Sequence, residues 1–423
     1  MSSALPQEII DQIIDYNYDD IPTLQAASLA SHSFLPSCRA HLFSEVVLVH
    51  EHFLDPAPGM SIIQDITGRL YTCEDFLSLL SETPWISSLV KTLVLHNRSQ
   101  VHPLNGSTRL LEDPQYAAIL PSILYSLVHL RHLVLSNAPS QSWSAFSTDL
   151  RAAFIGMLPL LTQLDVDFLS FEDAAEFIGI IREAKSLRHL SYVNTRSINF
   201  WELQDTINAQ SPRVRLESLT VAGRPLDVAH VNTFLSPYFD LTHVRELSIS
   251  SDSLFENQES FDALQKLLDA IGDSLWHLTF GFRFYFKPIN VNKNKNLRSI
   301  HIVSFRVDTE RIPIHKSLES LTWDVASQWK SDVFQAGNWE ELDLFLNQPT
   351  RFSSLSRVEI IFHAEHENCG PYTCSGGNIF HGDMLEHVAS QMPMLRARGI
   401  LRLKERRVRH IFGRKWDREL QVV

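Results

Sequence analysis

Four cysteines (Cys38, Cys73, Cys369, Cys374) in 423 residues are too few for a disulfide framework, which fits a reducing compartment. No apolar run reaches the roughly 18 residues that a membrane-spanning helix needs, and the N-terminus lacks a basic region followed by an apolar stretch. An intracellular protein is therefore expected, cytoplasmic or nuclear, not secreted and without a membrane partner. The 15 glycines are scattered, and no phosphate-cradling loop, nucleophile elbow or HExxH helix occurs. Nothing pairs the many carboxylates as acid and base, so neither catalytic residues nor a cofactor are expected. Basic residues are also in deficit, 37 against 49 acidic ones, for a formal charge of −12. Residues 396–418 hold eight Arg and two Lys against Glu405 and Asp417, which leaves −20 on the remainder. Phosphate contacts need Lys and Arg along the binding face, so a nucleic-acid-binding core is not expected.

What the chain does have is the composition of a folded protein, 44% hydrophobic and 20% charged. At about 100–200 residues per domain its length calls for two or three domains or a repeat array. The repeat is visible. Apolar residues fall at i, i+3 and i+5 starting from Val90, Leu130, Leu161, Leu187, Leu216, Val244, Leu275, Leu297, Leu318 and Leu355, with starts 21 to 40 residues apart. A strand sends alternate side chains to one face, so i+3 and i+5 point into a core, i+4 points out, and residue i anchors the turn leading in. Amphipathic stretches at 172–184, 229–239 and 260–271 can return the chain along the outside. Strand alternating with helix implies right-handed crossovers and a parallel sheet. Loops are expected at the long intervals 98–113 and 138–147.

Residues 5–47 read differently, as three short amphipathic pieces. Pro6 suits a first helical turn, followed by Ile9, Ile10, Ile13 and Ile14 on one stripe. Asp19 and Asp20 before Pro22 signal a second helix carrying Leu24, Ala27 and Leu29. Ser33 can cap a third, with Phe34, Leu35, Cys38 and Leu42 on one side. A unit of about 40 residues buries little surface alone, so part of its apolar face waits for a partner.

Leu5-Pro6 with the doubled isoleucines, followed by Ala26-Ala27-Ser28-Leu29-Ala30-Ser31-His32-Ser33-Phe34, resembles the F-box of large fungal-type protein families. That resemblance implies a three-helix motif that binds the Skp-type adaptor of a cullin–RING (SCF-type) ubiquitin ligase, and through it a cullin. It places Leu5, Pro6, Ile9, Ile10, Ile13, Leu24, Ala27, Leu29 and Phe34 at adaptor-binding positions, Phe34 standing where many members have tryptophan. The array resembles irregular leucine-rich repeats, although Asn97, Asn137 and Asn194 come one position earlier than the usual asparagine.

The expected fold class is α/β: an F-box-like head (1–47), a linker (48–88), a curved leucine-rich-repeat-like solenoid (89–395) and a basic capping segment (396–423). Asp165, His189, Ser191, Thr220, Glu246, His277 and His301 lie on outward strand positions and are the candidate contacts to a protein target. His363, His366, Cys369, Cys374 and His381 invite a zinc reading, but their spacing lacks the paired pattern of a structural site, and no metal is expected. The function these features imply is a non-catalytic substrate receptor; a binding scaffold that never joins a ligase is the alternative.

Overall fold

The computed structural model describes residues 5–50, 69–97, 110–111, 113–194, 213–223, 228–251, 258–282, 289–304, 309, 312–325, 338–365, 382–408 and 416–418. Alternation governs its strands. Residues i, i+3 and i+5 are buried in all ten template triplets, and i+3 and i+5 of each lie on a parallel strand. The class is α/β, with parallel sheets and twelve α-helices among the described residues. The chain divides into two compact units, Met1–Leu187 and Arg188–Val423.

The first unit opens with helices α1 (Gln7–Asp15), α2 (Ile21–Ala30) and α3 (Leu35–Leu42). Pro6 stands one residue before α1, and its carbonyl accepts from the amides of Ile9 and Ile10 at 3.1 and 3.3 Å. Asp20 caps α2 through the Thr23 amide (3.1 Å), with Pro22 in the first turn, as its sequence signals. Ser33 does not cap α3. Phe34 precedes the helix with no side-chain cap, while the Ser33 hydroxyl meets that of Ser31 at 2.8 Å.

Then come β1 (Glu45–Val49), β2 (Arg69–Tyr71), α4 (Cys73–Glu82), β3 (Thr92–Asn97), α5 (Pro114–Ser126), β4 (His132–Ser142), α6 (Thr148–Met157), β5 (Gln163–Ser170) and α7 (Ala174–Glu183). The strands lie in the order β2-β1-β3-β4-β5, all parallel. Sheet pairing thus begins at Glu45, inside the segment read as the head, because Phe43, Val46 and Leu48 already have the apolar spacing of the later strands. Residues 138–142 continue β4 past a register irregularity between Ser136 and Gln141 instead of forming a loop. Thr72, Asp113, Ser147 and Asp173 each accept a first-turn amide, which starts α4 to α7.

The second unit contains β6 (His189–Asn194), β7 (Val214–Arg215), β8 (Ser218–Gly223), α8 (Val228–Phe234), β9 (Phe239–Asp240), β10 (Glu246–Ser251), α9 (Gln258–Ile271), β11 (His277–Phe282), β12 (Ser299–Ser304), β13 (Ser320–Val325), β14 (Arg357–Glu365), β15 (Leu401–Val408) and β16 (Trp416–Arg418). Strands β6-β8-β10-β11-β12-β13-β14-β15 pair in parallel in that order, and β16 closes on β15 antiparallel. The basic C-terminal stretch therefore supplies a core strand, with Leu401 and Leu403 buried.

One backbone device recurs in both units. The carbonyl of residue i+1 accepts from two successive amides of the next strand entry: Lys91 from Arg131 and His132 (2.8 and 3.0 Å), Arg245 from Trp276 and His277 (2.8 and 2.9 Å), Arg298 from Glu319 and Ser320 (2.8 and 3.0 Å). These joints fix the register that brings the outward residues of neighbouring strands side by side.

Candidate functional site

The head's own core consists of Ile10, Ile14, Leu24, Cys38 and Leu42, with Ala27, Phe34, Ile21 and Phe43 packed partly against it. Two i, i+4 rows, Ile10/Ile14 and Ile9/Ile13, sit about 100° apart on α1, so one row faces inward and the other out. The isoleucines do not form a single stripe. Leu5, Ile9, Ile13 and Leu29 remain 59, 41, 53 and 89% exposed, and Pro6 is exposed beside them. Of the nine residues placed at adaptor positions, Ile10 and Leu24 hold the head together and cannot face a partner, Ala27 and Phe34 are half-buried, and the other five are accessible.

Polar contacts tie α1 to α3: Gln7 Nε2 donates to the Ser33 carbonyl (3.0 Å), His41 Nε2 meets Asp15 Oδ1 (2.6 Å), and the Ser37 hydroxyl donates to Asp11. The bonds from Ser37 and Gln7 hold the Asp11 carboxyl below its ordinary value. Behind α3 the guanidinium of Arg39 lies 4.8 Å from the Trp85 ring centre and that of Arg69 4.8 Å from the Phe43 ring, with Phe43 and Trp85 edge to face. This stack joins the head to the sheet of the first unit.

On the outward face of that sheet, Asp165 Oδ2 bonds His132 Nε2 at 2.9 Å. In the second unit the register row Ser191–Thr220–Ser248–Thr279–His301–Thr322–Glu359–Arg402 crosses the strands, flanked by His189, Ser218, Glu246, His277, Ser299, Ser320 and Arg357. Ser191 and Thr220 are half-exposed, and His189 and Glu246 are exposed. His277 bonds Thr279 Oγ1 at 3.0 Å; burial and the neighbouring His301 push its pKa down, against an opposing pull from Glu246. His301 Nε2 lies 3.1 Å from Asp324 Oδ2.

A charged cluster at one end of this face includes Glu359 and Arg357, outward positions of the strand template, with Asp324, Arg402 and Lys404, which the sequence reading did not single out. Glu359, buried at 6% side-chain exposure, is paired by Arg357 and by Lys404 Nζ at 2.8 Å, and Asp324, at 7%, lies on the adjacent strand. Burial works to raise the Glu359 pKa, but the bonds from Lys404 and Arg357 outweigh it and hold the carboxyl below its ordinary value. Arg402 and Lys404 escape the apolar template because the residue at i is Arg398. Its guanidinium donates to the Leu355 carbonyl (2.7 Å) and to Asn347 Oδ1 (3.1 Å), doing with hydrogen bonds what leucine does elsewhere by packing. Leu401 and Leu403 keep the i+3, i+5 spacing and are the signal that could have shown this strand.

The cysteine–histidine group at 363–381 lies outside the described residues except for the backbone of His363 in β14, and the side chains of Asn97, Asn137 and Asn194 lie outside them too. Among the described residues no cluster of three metal-ligating side chains occurs, and no helix is long and apolar enough to cross a membrane. No protein-family model matches the chain, and no curated protein matches it.

Proposed function

We propose that this chain is a substrate-receptor subunit of an SCF-type ubiquitin ligase, its helical head docking on a Skp-type adaptor and a leucine-rich-repeat-like body holding the protein to be modified. The observation that carries the reading is the division of the head's apolar residues. Ile10, Ile14, Leu24, Cys38 and Leu42 suffice for its core, while Leu5, Ile9, Ile13 and Leu29 are left on the surface in the motif that resembles an F-box. Such a receptor acts by proximity: holding a target beside a charged conjugating enzyme makes transfer effectively intramolecular. The parallel strands with outward polar rows support the body's role, since a broad face with a few anchoring side chains is how such surfaces gain affinity.

The cation–aromatic stack of Arg39, Trp85, Phe43 and Arg69 favours a second reading, in which the head merely caps the sheet of a scaffold outside any ligase. Co-expression with the adaptor separates the two. The receptor copurifies with it, and Leu5→Asp or Ile9→Asp abolishes that copurification while the melting transition of the body persists; adaptor capture that survives both changes sinks the ligase reading.

A further inference from the structure

The sheet face of the second unit ends in a charge imbalance. Strands β13, β14 and β15 bring Asp324, Arg357, Glu359, Arg402 and Lys404 onto one side, with Glu359 directly opposite Arg402 in register and Asp324, Ile361 and Lys404 in the next row. Arg357 and Lys404 both reach the Glu359 carboxylate, and Arg402 stands beside Glu359 across one strand spacing of about 4.8 Å. Glu359 serves Arg357 and Lys404 at once, and Asp324 is engaged by His301. Arg402 is exposed and has no ion-pair partner among the described residues. One buried carboxylate thus orders two cations, and with Asp324 counted the five side chains carry three positive against two negative charges, in a chain whose net charge is −12. Ordering a cation before its ligand arrives removes part of the entropy cost of capture.

We propose that this end of the face binds an acidic stretch of an extended polypeptide, with carboxylates of the bound segment on Arg402 and on the open side of Arg357. Away from the three cations the face presents Glu246 and the hydroxyls of Thr279, Ser299, Ser320 and Thr322. Those hydroxyls supply no counter-charge and Glu246 opposes an anion, so a nucleic-acid backbone, charged at every step, finds no further cations there, whereas a peptide that alternates acidic and uncharged residues needs none. The inference deepens the receptor reading by naming the chemistry of the target segment, and its test needs no adaptor, so the two fail separately.

Fluorescence anisotropy of the full chain with a labelled peptide of alternating aspartate and serine is the measurement. The peptide binds, the matching asparagine–serine peptide does not, Arg402→Ala weakens binding about tenfold and Arg402→Glu removes it. Lys404→Gln, which keeps the stem, weakens it as well, and the Ile9→Asp protein binds as wild type does. The proposal is overturned if the aspartate peptide fails to bind, if Arg402→Ala binds unchanged in a protein that melts normally, if Ile9→Asp abolishes binding, or if an oligouridylate of the same length binds as tightly as the peptide.

Discussion

Single polar side chains hold joints that hydrophobic pattern alone would leave open. Asp343, on the helix Trp339–Leu346, is 2% exposed, and its two carboxyl oxygens accept from the amides of Met394 and Leu395, each at 2.8 Å. It caps a helix some fifty residues away, where a local Ser or Asp would ordinarily do so. Asp343→Ala strands two N–H groups, that of Leu395 buried and that of Met394 partly so, and should cost about 2–4 kcal/mol, with Asp343→Asn recovering part of it, read as chemical-denaturation midpoints. Asn294, fully buried, does the equivalent for the end of α9, donating to the carbonyls of Leu268 (3.0 Å) and Gly272 (2.9 Å). His277 adds a pH term. Its pKa in the folded chain is lowered, so the unfolded chain binds more protons near its ordinary value. Stability from this residue is full above about pH 6.5 and declines as pH falls through that value. Melting temperature should drop between about pH 7.5 and about pH 5.5, and His277→Gln should make the drop shallower.

At the scale of the element, helix α1 shows how far periodicity reaches. The sequence announces an amphipathic helix with four isoleucines, and that is what forms; which pair turns inward depends on where α2 and α3 lie, and no spacing within α1 contains that information. Ile10→Ala opens a hole in the small core and should cost about 2–4 kcal/mol of head stability, whereas Ile9→Ala should stay within about 0.5 kcal/mol in the free protein, both followed by amide hydrogen exchange of α1 and α3. The strands were more legible. Each apolar triplet identified its strand because burial on one sheet face demands a strict alternation, and the stretches read as helices at 172–184 and 260–271 became α7 and α9 within a few residues, while that at 229–239 is helical only to Phe234 and ends in β9. Of the strands the triplets missed, β1 and β15 flank that run: β1, whose outward Val47 and Val49 are buried as well, and β15, whose anchor is a guanidinium.

For the whole molecule, the composition excluded more than it identified. Scarce glycine and cysteine and an acidic balance argued against familiar catalytic loops, disulfide scaffolds and nucleic-acid cores, and left a body of parallel strands whose outward residues carry the remaining information. The candidate contacts Asp165, His189, Ser191, Thr220, Glu246, His277 and His301 do fall on outward positions, because alternation alone decides that. Asp324, Lys404 and Arg402 were not legible as a cluster. They come together only through cross-strand register, and their separation in sequence, with Lys404 eighty residues beyond Asp324, hides it.

The paired-amide joints carry a consequence for how such a chain can change. Each is made of main-chain atoms alone, from Ser44 to Lys91 and Thr92 at one end to Glu319 with Ser356 and Arg357 near the other, so no particular side chain is required there. The segment returning from one strand to the next is free to vary in length, as the 21- to 40-residue intervals already show. A gene for this chain can take up insertions between strands without disturbing which outward side chains stand next to each other, and new specificity can be tried at the rim while the floor stays in alignment.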